Sequence, residues 1–250
     1  MFGSKEDIIN YMNNEFKAPL ISIIIPAHNE ENYIEKTILS IIDSSYKNYE
    51  LIIVCDSCSD KTEEISKKYT DKVYEVDFKN IAQTRNFGAS KAIGEIFVFW
   101  DADTISSDNY LASIVEVVNS GFDYGCSKMI SETGTLKGRF IVWRINCYGI
   151  NSKTTGGNFF IKKNIFDSVN GFDRTFNKGE DTELGERLYK SGAKYKFMKN
   201  SYIIPSERRW QNSGYFNYFL NSLKESALYF LNKKKYKKVI KYKVIDKENL

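Results

Sequence analysis

Residues 21–30 read I-S-I-I-I-P-A-H-N-E, a block of isoleucine ended by a proline and followed by a polar run. β-branched side chains are stiff and suit a pleated, close-packed strand. A run that does not alternate with polar residues belongs to a strand covered on both faces. Pro26 has no N–H to give to a ladder, so the strand ends there and the polar residues fall at its carboxyl end. The same pattern recurs at Leu51–Val54, followed by Asp56 and Ser57, and at Glu95–Trp100, followed by Asp101-Ala102-Asp103. Val73–Val76 is a shorter third strand in the order. Between them lie a helix over 30–44 with Ile34, Ile38, Ile41 and Ile42 on one face, a helix capped by Ser59 or Asp60, and a helix over about 80–92. Four strand–helix alternations in about a hundred residues predict an α/β fold: a doubly wound, mostly parallel sheet flanked by helices. Such sheets bind ligands at the carboxyl ends of their strands.

Beyond residue 120 the alternation decays. Strands are expected near 122–131 and 157–162, an aromatic-rich helix at 138–150, a glycine-punctuated helical stretch at 163–190 and short strands near 194–204. A long amphipathic helical region starts after Pro205. The chain therefore divides into an N-terminal helical arm (1–19), one domain (20–210) and a C-terminal amphipathic helix with a basic tail (211–250). The domain has a ligand-binding half at 20–104 and an α+β half at 105–210.

With 42% hydrophobic and 27% charged residues and three prolines in 250, the composition is that of an ordinary globular domain. The net charge of +4 is uneven, because seven lysines fall between Lys233 and Lys243. That favours an anionic surface or substrate and speaks against sequence-specific nucleic-acid binding. Cys55 and Cys58 form a lone C-x-x-C without a second pair, and His28 is the only histidine, so they read as incidental thiols. The N-terminus lacks a signal peptide's apolar core, and no apolar run approaches eighteen residues. The expected location is the cytoplasm, with the inner face of the cell membrane open to the C-terminal helix. Residues 214–231 carry Tyr215, Phe216, Phe219, Leu223 and Phe230 just ahead of the lysines. They suit interfacial membrane binding; the simpler reading is a helix packed on the domain with a solvated tail.

The strand-end acids carry the chemistry. Asp101-x-Asp103 offers two carboxylates to a hard cation such as magnesium or manganese, which neutralises a diphosphate; two loop aspartates also cap a following helix over 105–119. Asp56 is placed to accept from a base imide or a ribose hydroxyl, or to build a turn. Glu180 and Asp181 open a helix, where carboxylates cap it or one of them serves as a general base.

Seven segments follow in order: I-S-I-I-I-P-A-H-N-E-E, V-C-D-S-C-S-D-K-T, A-Q-T-R-N-F-G-A-S-K-A-I-G-E, F-W-D-A-D-T, T-G-G-N-F-F-I, G-F-D and G-E-D-T-E-L. As an ordered set over about residues 20–210 they resemble the family 2 inverting glycosyltransferases, which have the nucleotide-binding GT-A fold. The resemblance implies a UDP- or GDP-linked sugar donor, manganese or magnesium, and a glycan or lipid-linked acceptor. It implies that Pro26, Ala27, Asn29 and Glu30 cradle the nucleoside, that Asp56 meets the base, and that Arg85 lies near base and diphosphate. Asp101 would lie by ribose and metal and Asp103 would bind the metal. Gly156, Gly157 and Glu180 would line the acceptor side, and Asp181 would be the catalytic base. Arg208 or Arg209 would neutralise the diphosphate or lie on the surface, and Trp210 would be an acceptor platform or core. Two departures stand out. His28 replaces the usual aromatic, in a slot that does not suggest catalysis. Ser206 stands where processive relatives have the glutamine of Q-x-x-R-W, so no polymerase is inferred. Two rival readings are a nucleotidyltransferase, which would want a glycine- and base-rich phosphate loop after the first strand, and a binding protein without turnover. A dinucleotide oxidoreductase fails for want of G-x-G-x-x-G.

Overall fold

The computed structural model describes residues 18–153 and 158–240. Eight strands form one sheet in the order β3-β2-β1-β4-β7-β6-β8-β5. They are β1 (Ile21–Ala27), β2 (Tyr49–Asp56), β3 (Val73–Val76), β4 (Ile96–Trp100), β5 (Thr104–Ser106), β6 (Tyr124–Met129), β7 (Asn158–Lys162) and β8 (Tyr195–Pro205). β1 pairs parallel with β2 and β4, and β2 with β3, as the alternation predicts. The second half is inserted differently: β7 runs antiparallel between β4 and β6, and β8 is parallel to β6 but antiparallel to β5. Four pairings are parallel and three antiparallel, so the sheet is mixed.

Helices cover both faces. They are α1 (Ile34–Ile42), α2 (Thr62–Ser66), α3 (Ile81–Lys91), α4 (Tyr110–Asn119), α5 (Leu136–Ser152), α6 (Lys163–Ser168), α7 (Glu180–Lys190), α8 (Arg208–Ser213), α9 (Tyr215–Leu231) and α10 (Lys233–Val239). Both faces of β1 are buried: Ile21, Ile23 and Ile25 join the layer under α1 and α4, while Ile24 joins the layer under α3 and α7. Gly88 lets α3 approach β1, since a Cβ there would stand 2.4 Å from the Ile24 side chain.

Several boundaries differ from the sequence reading. Residues 104–106 pair with the end of β8, so the helix expected from 105 starts at Tyr110. The short strands expected near 194–204 are one strand, whose register against β6 slips between Ser127 and Lys128 and carries its end across to β5. The stretch 163–190 splits into α6 and α7, with Gly171 and Gly179 between them at φ +64° and +78°, left-handed positions that suit glycine. Neither Ser59 nor Asp60 is the N-cap of α2; Asp60 instead accepts from the backbone N–H and hydroxyl of Thr62. The described part of the C-terminal region packs on the domain. Tyr229 and Tyr236 enclose Phe176, and ion pairs join Lys178 to Glu225, Lys233 to Glu186 and Lys237 to Asp173. Among the described residues no helix is long and apolar enough to cross a membrane. The N-terminal arm over 1–17, the tail over 241–250, and Gly156 and Gly157 lie outside the described residues.

Candidate active site

Three strand ends and two helix starts meet in one cluster of charge. The loop after β1 is pinned to the end of β2. His28 Nδ1 donates to the Asp56 carbonyl at 2.6 Å, and Asn29, at φ +54°, accepts from the Ser59 backbone N–H at 2.8 Å. Because a carbonyl only accepts, Nδ1 carries the proton and the ring braces the loop. The Glu30 N–H donates to the Thr62 hydroxyl at 2.7 Å. Cys58 donates to the carbonyl of Ala27 at 3.4 Å, and Cys55 and Cys58 are free thiols.

Asp56 is buried, and its carboxylate is held by its own surroundings. The backbone N–H groups of Phe78 (2.8 Å), Lys79 (2.9 Å) and Asn80 (3.2 Å) and the hydroxyl of Thr84 (2.7 Å) donate to it, while the Ser57 hydroxyl, 3.2 Å away, lies closer to Asp77 at 2.5 Å. Three backbone donors and one hydroxyl, the latter shared with the Asn80 carbonyl, hold the carboxylate in place. Asp56 thus shapes the 77–80 loop.

Arg85 ties the two halves together. It rises from α3 almost fully buried and donates to Asp101 at 2.8 Å, after β4, and to Glu180 at 2.7 Å, at the first position of α7. Its neighbour Asn86 exchanges two hydrogen bonds with the backbone of Phe172: the amide donates to the carbonyl at 2.8 Å and accepts from the N–H at 2.9 Å. Asn80 donates to the carbonyls of Arg174 and Phe176. The A-x-x-R-N-x-G segment and the Gly-Phe-Asp segment are thus two sides of one joint. Their shared presence in the sequence was the only signal of it.

Asp103 and Glu30 share Arg208, whose guanidinium lies 3.0 Å from Asp103, donates to Glu30 at 2.5 Å and lies 4.3 Å over the Tyr33 ring. Burial pushes Asp103 up to about 6; Arg208 opposes the rise, and the charges of Asp101 and Glu30 add to it. Burial likewise pushes Glu180 up to about 7 and raises Asp181, in both cases against the pull of Arg85. Asp181 feels Asp101 as well, so acids from both halves act on one another. Its carboxylate accepts from the Thr182 N–H at 2.8 Å, and Thr182 in turn lies 3.3 Å from the Tyr148 hydroxyl of α5.

Arg208 therefore faces the acids, and Arg209 also acts on Asp103. Of the two readings of Trp210, its surroundings are those of core: it is 5% exposed and packs against Tyr218. Sequence reasoning passed over Glu207, which is wholly buried and accepts from Ser131, Thr133 and Tyr215. It locks α5, α8 and α9 together behind Arg208; a lone glutamate in a basic stretch gives no local cue to this.

As for a cation, the described residues contain no group of three or more His, Cys, Asp or Glu arranged to hold one. The donor set is nevertheless that of a hard ion shared with a phosphate ligand: two carboxylates on Asp101-x-Asp103, plus Glu30 Oε2, which is buried without a hydrogen-bond partner.

Residues 22–178 match the sequence model described as Glycosyl transferase family 2. The chain is 27% identical over 223 residues to the probable glycosyltransferase YdaM of Bacillus subtilis, covering 78% of this chain and 52% of that protein. It is 38% identical over 99 residues to an uncharacterized glycosyltransferase of Haemophilus influenzae, covering 37% of this chain and 40% of that one. The chain thus spans about half or less of the length of these relatives. Among solved structures, S. aureus TarS in complex with UDP-GlcNAc superposes with a TM-score of 0.61 at 19% identity, over 75% of this chain and 59% of that one. The mannosyltransferase PcManGT of Pyrobaculum calidifontis, in complex with GDP-Man and Mn2+, gives 0.63 at 16% identity, over 79% and 63%. At these identities the likeness establishes the fold, which is of the GT-A type.

Proposed function

We propose that this chain, which belongs to glycosyl transferase family 2, transfers a sugar from a nucleotide diphosphate donor to an acceptor hydroxyl with inversion. The observation that carries the reading is the Arg85 bridge, which brings the strand-end acid Asp101 and the α7 acid Glu180 onto one guanidinium. Donors linked to UDP or GDP are the candidates, because the structural neighbours hold UDP-GlcNAc and GDP-Man.

In this reading Pro26, Ala27, Asn29 and Glu30 form the nucleoside loop, held in shape by Asp56, His28 and Thr62. Asp103 and Asp101 would hold a divalent cation, manganese or magnesium, which supplies charge neutralisation to the departing diphosphate. Arg208 and Arg209 add fixed positive charge on the same side. Asp181 takes the proton of the acceptor hydroxyl as its oxygen forms a bond to the anomeric carbon. The bond from that carbon to the diphosphate breaks on the opposite face, and the electron pair leaves with the nucleotide. Glu180, fixed by Arg85, sets the entry of α7 and hence the position of Asp181. Gly156 and Gly157 would line the acceptor side.

Thermal unfolding with UDP, GDP and their sugars, with and without manganese, tests the donor side. A nucleotide diphosphate at a hundredfold excess over its Kd should stabilise the protein by about 2.7 kcal/mol. Asp103→Asn should remove the manganese-dependent part of that gain. A protein that no nucleotide diphosphate stabilises, with or without metal, would not be the transferase proposed.

A further inference from the structure

Nine of the fifteen large apolar side chains that stand exposed among the described residues lie on just two helices, α5 and α9. On α5 they are Leu136, Phe140, Trp143 and Ile150, at intervals of four, three and seven residues, which is a single stripe on a 3.6-residue helix. On α9 the same intervals recur at Phe216, Leu220, Leu223 and Phe230. The helices touch along the edge of these stripes: Phe140 meets Phe219 at 5.7 Å, and the Arg144 guanidinium sits 5.3 Å over the Phe219 ring. Two amphipathic helices thus lie next to each other with their outer stripes apolar, Leu136 being 83% and Trp143 61% exposed. An apolar surface of this extent marks an interaction site.

Charge decides what covers it. Residues 136–153 and 208–240 contain twelve Lys or Arg and a single acid, Glu225, which is engaged with Lys178. The rest of the chain has 24 bases and 31 acids. Lys137 and Arg139 flank the α5 stripe, Lys224 flanks that of α9, and Lys234, Lys235 and Lys238 follow on α10, all six exposed. Aromatic and aliphatic side chains with a cationic rim and no free acid are complementary to an anionic lipid surface. A second copy of the same surface would set like charges against each other.

We infer that α5 and α9 together form an interfacial membrane-binding face, its apolar stripes entering the headgroup–acyl boundary of an anionic leaflet while the lysines meet the headgroups. Tyr148 of α5 reaches Thr182 beside Asp181 from a different side of the same helix, roughly 140° around from Trp143. The face therefore holds the acid cluster next to the lipid surface, where the hydroxyl of a lipid-carried acceptor would be presented. The membrane face stands apart from the reading of the acids, because vesicle binding needs neither donor nor metal.

The test is co-sedimentation of the full chain with vesicles of neutral phosphatidylcholine and with vesicles containing 30% (roughly the anionic fraction of an inner leaflet) phosphatidylglycerol. Binding should rise on the order of tenfold with the anionic lipid, and Trp143 emission should shift to the blue. The other two tryptophans, Trp100 and Trp210, are buried at 1% and 5%, so they add a background that vesicles should not shift. Trp143→Gln with Phe216→Gln should lower partition at least about tenfold. Its melting temperature should stay unchanged, since both side chains are exposed. Lys234→Gln with Lys235→Gln should lower only the anionic-lipid component. Three results would overturn the inference: a chain that stays in the supernatant, vesicle binding indifferent to the Trp143/Phe216 variant, or a dimer dispersed by that variant in place of vesicle binding.

Discussion

Asp181→Asn is expected to lower kcat by about 10³-fold while leaving donor affinity within about twofold, the range for removing a general base that acts mainly in the transition state. The amide keeps the shape of the carboxylate and can still accept from the Thr182 N–H, which lies 2.8 Å from Asp181 here, so the start of α7 should hold. What it loses is the ability to take a proton. The pH profile provides the second reading. Burial raises Asp181, and pushes its neighbour Glu180 up to about 7. A carboxyl group with a raised pKa is protonated across more of the acid range, so the activity it supports is lost as pH falls. In the wild-type protein kcat/KM should therefore fall about tenfold per unit below the titration of the pair. In Asp181→Asn the residual rate should lack the limb that belongs to this base. Donor binding and turnover lost in equal measure would remove Asp181 from the role of base.

Arg85→Met is expected to cost about 3–5 kcal/mol of folding stability near neutral pH, because it breaks a buried ion pair from one side. Asp101 is the lesser problem: its side chain is 38% exposed and water can replace the lost partner. Glu180 is 5% exposed and would be left charged in a buried site. Its escape is to take up a proton. Glu180 already sits at about 7 against an ordinary value near 4.5, and without the guanidinium it rises further. The unfolded chain then releases its proton well below the folded one, so the stability deficit of the variant is small at low pH and grows as pH rises. Denaturant unfolding at pH 6 and pH 8 should show the larger deficit at pH 8. Equal deficits at both pH values, or a total below about 1 kcal/mol, would mean that Arg85 does not hold Glu180 in its charged form.

Much of the first half was legible because its strands announce themselves locally. Ile21–Ile25, Leu51–Val54 and Ile96–Trp100 are continuous apolar runs, and their carboxyl ends carry the acids that the structure brings together. The second half was less legible because its pairings are not local. β7 slots between β4 and β6, more than fifty residues from the first of these, and nothing in Asn158–Lys162 records which strand it will meet. β8 reads as short strands because the polar stretch Lys199-Asn200-Ser201 falls where its register slips. In the site, the residue types were readable and their partners were not. Arg85 and Glu180 lie ninety-five positions apart, and no spacing rule links them. Asp56 sits in a turn-forming sequence, but nothing local shows that the backbone N–H groups of 78–80 donate to it from across the sheet end. Trp210 follows two arginines that face the acids, but it sits on the other side of α8 and packs into the core. The exposed apolar stripes were half legible: the aromatic spacing of α9 shows in the sequence, whereas nothing local records that α5 lies beside it.

The account rests on acids from both halves of the chain sharing one cleft with a cation, and anomalous scattering tests this most directly. In crystals grown with manganese and a nucleotide diphosphate, the anomalous map should show one strong peak against Asp103. The diphosphate should bridge from that peak toward Arg208, and Asp181 should lie across the same cleft. A manganese peak remote from Asp103, or a nucleotide bound on a face that Asp181 does not reach, would contradict it.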